Sequence, residues 1–143
     1  MSPVIIQSRQ KKISVDLRWI RKATHALCRY HNLLASKEIT VVLVSDRAIS
    51  RLNAQYLSRP QPTDVLAFEL GPDMADIIIS VETAQRQAKS FRHSLEEEVL
   101  YLIIHGLLHL QGFKDSHLRS RKKMLGQQAR FMRMVMKAIS QRE

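Results

Sequence analysis

Ile104-His105-Gly106-Leu107-Leu108-His109-Leu110-Gln111-Gly112-Phe113-Lys114-Asp115-Ser116-His117 holds two histidines four positions apart in a long apolar run. On an α-helix that spacing puts both imidazoles on one side, one turn apart, where a single metal ion can take a nitrogen from each. Both ends of the helix are marked in the sequence. Ser94 and Glu97 have the spacing of a capping box, and Glu96, Glu97 and Glu98 put negative charge at the positive end of the helix dipole. Val99, Leu100, Leu102, Ile103, Ile104, Leu107 and Leu108 are apolar on most sides, which predicts a largely buried helix, and Gly112 is suited to the left-handed residue that ends it.

The turn at Gly112 sends the chain back over the two histidines, so a third ligand is expected just after it. Asp115 and His117 both qualify, because zinc accepts a carboxylate or an imidazole and its catalytic sites keep one position for water. A lone histidine on an apolar helix is ordinarily a core residue; a pair at this spacing, followed by glycine, aspartate and histidine, is the pattern of a ligand set. Zinc peptidases built on a helical histidine pair carry a glutamate directly after the first histidine, and Gly106 stands there instead. Peptide hydrolysis by that arrangement is therefore not expected.

His-Gly-x-Leu-His-Leu-x-Gly followed by an aromatic closely resembles the signature of the YbeY family of metal-dependent endoribonucleases. The resemblance continues upstream through Leu52-Asn53-Ala54-Gln55-Tyr56, Pro62-Thr63-Asp64-Val65-Leu66-Ala67-Phe68 and Asp76-Ile77-Ile78-Ile79-Ser80, in that family's order. It implies a YbeY-like α/β fold and a single-strand-specific metallo-endoribonuclease with one zinc per chain. The implied work is maturation of the small-subunit ribosomal RNA 3′ end and ribosome quality control, with ribosomal-protein or GTPase partners.

The chain departs from the family pattern at three places. Aligned without gaps, Lys114 and Asp115 stand where the family has Asp-His, so the resemblance implies His105, His109 and Asp115 as ligands, with His117 as the alternative third. Leu57 replaces the arginine that commonly follows the tyrosine; Arg59, two residues on, is the candidate to stabilise charge on a phosphate oxygen. Ala75 replaces a glycine. Zinc on such a site lowers the pKa of its water and polarises a phosphoryl oxygen. The motif holds no general base, which leaves that role to the zinc-activated water or the RNA 2′-hydroxyl. An aspartate ligand would make the zinc a weaker Lewis acid. A non-catalytic RNA-binding assembly factor with a structural or vestigial metal is the alternative function.

Composition points the same way. The 143 residues and 45% hydrophobic content suit one domain with a real core, so one domain over residues 1–143 is expected. A formal net charge of +10 favours a polyanionic partner, because cations on the protein displace counterions condensed on phosphates. The amino terminus lacks the pattern of a signal peptide, no apolar stretch reaches the ~20 residues of a membrane span, and the single cysteine, Cys28, fits a reducing cytoplasm.

The remaining chain reads as a small mixed sheet of about four strands with about five helices. Residues 4–6 and 38–44 are expected as strands, and residues 64–70 and 75–80 as a hairpin. A helix over residues 15–34, capped by Ser14, buries a stripe that includes Trp19 and Tyr30. Asp46 caps the next helix, Ser80 the one after it, and Pro60 and Pro62 stiffen an irregular loop that forms one wall of a cleft with the strands near Asp64 and Ser80. The last helix carries Leu118, Leu125, Phe131, Met132, Val135, Met136 and Ile139 on its core side, with a weak point at Gly126. Its other side holds Arg119, Arg121, Lys122, Lys123, Arg130, Arg133, Lys137 and Arg142, the expected RNA-facing surface.

Overall fold

The computed structural model describes residues 4–32, 36–57, 63–113 and 117–141. Four strands, β1 (Val4–Ser8), β2 (Glu38–Val44), β3 (Val65–Gly71) and β4 (Met74–Ser80), form one sheet in the order β1-β2-β4-β3. β1, β2 and β4 run parallel, while β3 pairs antiparallel with β4 through the tight turn at Pro72 and Asp73, so the expected hairpin is present.

Successive side chains of a strand point to opposite faces, and this sheet buries both. Ile39, Val41, Leu43, Ala75, Ile77 and Ile79 face the larger core. It is shared with α1 (Leu17–Leu27), α3 (Val81–Phe91), α4 (Leu95–Leu110) and α5 (Leu118–Gln141). Val42, Val44, Ile78 and Leu66 face a smaller cluster closed by Ile49 of α2 (Asp46–Leu57). The β-branched runs thus become strands covered on two sides, and the fold is α/β as the sequence implied.

α4 is the spine of the larger core. Leu100, Ile103, Ile104 and Leu107 are fully buried, each worth about 1.5–3 kcal/mol of apolar transfer. The capping box is complete, with Glu97 N–H donating to Ser94 Oγ (3.0 Å) and Ser94 N–H to the Glu97 carboxylate (2.9 Å). Glu96 also accepts from Asp16 N–H (2.9 Å) and so ties the start of α4 to the start of α1.

Some local expectations change. Asp16, not Ser14, caps α1 by accepting from Trp19 N–H (3.1 Å). α1 ends at Leu27 instead of running to Leu34, which itself lies outside the described residues. Just past that end His31 is buried, with its ring 5.1 Å from Phe131 of α5, while Tyr30 faces outward, half-exposed; a tertiary contact overrides the helical stripe. Ser45 caps α2 by accepting from Ala48 N–H, which frees Asp46 to accept from Ser80, Thr83 and Arg86 and lock α2 to the start of α3. α5 runs unbroken through Gly126, and its buried line is Met124, Gln128, Val135 and Ile139; Leu118 and Leu125 are exposed. Ser80 caps α3 as expected, accepting from Thr83 N–H.

Candidate metal centre

His105 and His109 lie at the carboxyl-terminal end of α4, both half-buried. Their Nε2 atoms are 2.9 Å apart and the rings meet edge to face, with centroids 4.5 Å apart. His109 Nδ1 lies 3.1 Å from the carbonyl oxygen of Phe113. A carbonyl only accepts, so Nδ1 carries the proton and Nε2 presents its lone pair toward His105, the tautomer that a metal ligand needs. Two imidazole nitrogens 2.9 Å apart share one proton as they stand, and a cation between them would take that proton's place.

The segment that holds Phe113 is built by the helix end. Gly112 takes a φ of +101°, and Phe113 N–H donates back to the Leu108 carbonyl (3.0 Å). The turn that ends the helix therefore also orients the second histidine.

Gly106, between the two histidines, has a steric role the motif alone does not reveal. A β-carbon there would lie 3.0 Å from Ile77 Cγ2, tighter than ordinary contact. The glycine lets α4 lie against Ile77 of β4.

Among the described residues no three His, Cys, Asp or Glu side chains come together as a metal-holding group. Asp115 and Arg59 lie outside the described residues, and His117 sits exposed just before α5. Arg119, Arg121, Lys122, Lys123, Arg130 and Arg133 all lie exposed on α5, whose first turn contains no acid; Arg142 is outside the described residues. Arg18, Arg21, Lys22 and Arg29, in and just after α1, are exposed as well. Asp64 is close enough to Glu98, seven residues before His105 in α4, for its charge to act there. Its carbonyl accepts from Ser80 N–H (3.0 Å), which joins the two strand ends.

Glu98 is a buried acid that the motif did not single out. Burial raises its carboxyl above the ordinary value of 4.5, and the Asp64 carboxylate pushes the same way, while the hydrogen bond and charge of His93 oppose the rise. Stability contributed by a group with a raised folded pKa is complete below its unfolded value and is lost as pH rises through the folded one. Glu98→Gln removes that loss. In urea melts the variant is expected to gain on the parent as pH is taken from below to above 4.5, and a difference constant across that range would show that Glu98 is not held high.

The chain and its fold have known counterparts. The model of the family described as Endoribonuclease YbeY matches residues 5–136. Endoribonuclease YbeY of Syntrophus aciditrophicus is 40% identical over 123 residues, 80% of this chain and 76% of that protein. The same-named protein of Pelotomaculum thermopropionicum is 34% identical over 136 residues, 85% of this chain and 90% of its own. The solution structure of TM1509 from Thermotoga maritima superposes with a TM-score of 0.66 at 26% identity, covering 97% of this chain and 93% of that one. With residues 5–136 matched by the family model and relatives 34–40% identical over most of its length, the chain belongs to the YbeY family.

Proposed function

We propose that this chain is a zinc-dependent endoribonuclease of ribosomal RNA maturation, a single domain over residues 1–143 working in the cytoplasm on single-stranded RNA of the small subunit. The proposal extends to ribosome quality control, with ribosomal-protein or GTPase partners. The observation that carries it is the convergence of His105 and His109 Nε2 on one point in a chain of the YbeY family. His105 and His109 hold the metal, with Asp115 as third ligand and His117 as its alternative. Zinc, when bound, supplies Lewis acidity toward a phosphoryl oxygen and an acidified water. The chain's own residues do the rest: the Phe113 carbonyl fixes the His109 tautomer, Arg59 offers paired N–H donors to the phosphate, and α5 holds the RNA backbone. Among the described residues no helix is long and apolar enough to cross a membrane.

The test is metal content of the purified chain beside His105→Ala, Asp115→Ala and His117→Ala. About one zinc per chain, lost with His105→Ala and Asp115→Ala and retained with His117→Ala, supports the reading. No zinc in the parent after zinc is supplied overturns it and leaves a non-catalytic RNA-binding assembly factor, the reading that Leu57 and Asp115 favour.

The basic helix is tested separately. Arg119→Glu with Lys122→Glu is expected to weaken single-stranded RNA binding about tenfold or more. The slope of log affinity against log salt should fall by about 0.7 for each phosphate that the helix no longer neutralises. Unchanged affinity and slope would move the RNA to another face of the molecule.

A further inference from the structure

Beside the histidine pair lies a groove whose lining, apart from His117, has no part in the proposed metal site. Gln111, Gly112 and Phe113 form one side and His117, Ser120 and Lys123 the other, around about 370 Å³. Small-molecule sites span roughly 300–1,000 Å³, so this groove has the size for one nucleotide. We propose that it seats one nucleotide of a single-stranded RNA, its base against Phe113 and its phosphate on Lys123, adjacent to the bond that is cut; this rests on the endoribonuclease reading.

The lining has the chemistry for it. Phe113 is half-buried and packed against the core, a fixed aromatic surface on which any base can stack. Lys123 is exposed near the start of α5, whose own first turn contains no acid. The Gln111 amide both donates and accepts, so it can meet the edge of a stacked base. Ser120 Oγ donates to the His117 carbonyl (3.0 Å), leaving its lone pairs turned to other donors.

The groove is also fixed relative to the imidazoles. Phe113 is held through its N–H to Leu108 O (3.0 Å) and through its carbonyl by His109 Nδ1 (3.1 Å). A base resting on Phe113 therefore sits in a constant register with the His105–His109 pair, and the groove sets which phosphate meets it. A base can reach Phe113 only by leaving its stack, which paired RNA resists.

The experiment is a position scan of single-stranded RNAs that carry one abasic residue or one fluorescent 2-aminopurine at successive sites. With the parent chain, one position next to the cut should lose about tenfold in kcat/KM when abasic, and the same position should show quenched 2-aminopurine fluorescence on binding. Ser120→Trp, which fills the groove, should abolish both position effects. Equal tolerance at every position, or no quenching at any position of bound RNA, overturns the proposal even if Ser120→Trp does not fold. Cutting without a quenched position rejects the groove and keeps the nuclease. A quenched position without cutting keeps the groove and rejects the nuclease, and absence of RNA binding rejects both.

Discussion

Replacing His109 with alanine is expected to lower RNA cleavage by on the order of 10³-fold while leaving RNA affinity within about twofold. The size follows from what a bound metal contributes, several kcal/mol of charge stabilisation at the phosphate, with each 1.36 kcal/mol worth a factor of about ten. One ring nitrogen lies 2.9 Å from His105 Nε2 and the other 3.1 Å from the Phe113 carbonyl, so in the proposed site the side chain would be held rigid while it donates to the metal. Affinity is expected to be spared because the proposed RNA-binding residues, exposed on α5, do not include His109. Rates and binding curves on one RNA, with zinc content read alongside, check the result. Cleavage retained at the parent rate would show that the histidine pair is not the catalytic metal site.

Gly106→Glu is expected to produce an unfolded or barely folded chain, not a peptidase. The substitution rebuilds the His-Glu-x-x-His order of zinc peptidases. In this fold, however, the first atom of the new side chain would lie 3.0 Å from Ile77 Cγ2, at the fully buried contact between α4 and β4. Overpacking alone costs about 1–3 kcal/mol, and an unpaired buried carboxylate adds several more, against the ~5–15 kcal/mol that holds a domain together. Circular dichroism and a thermal melt decide the matter. Gly106→Ala should show a smaller loss, because the alanine gains helix propensity of about 1 kcal/mol that partly offsets the crowding. A Gly106→Glu chain that melts with the parent would mean that α4 can shift away from the sheet.

Much of the site was legible because its signals are local. The capping box at Ser94, the apolar run after it and the glycine that ends the helix concern residues close together along the chain, and all three are present as read. The spacing of His105 and His109 placed both rings on one side for the same reason. In the sequence Glu98 reads as a dipole partner, because it lies in the first turn of a helix. Only the approach of His93, Asp64 and the core turns it into a buried acid.

The sequence by itself determined the strands, the helices, the family and the histidine pair, since hydrophobic periodicity, caps and a motif are written in neighbouring residues. Tertiary structure alone decided where α1 stops, because His31 turns to meet Phe131, far along the chain in α5. It also decided which line of α5 faces inward, putting Gln128 in the core and Leu118 and Leu125 outside. And it decided why a glycine separates the histidines: Gly106 has no side chain because Ile77, on a strand distant in sequence, already fills the space. Contacts between distant elements leave no period in a sequence, and close packing gives each of them room for only one shape.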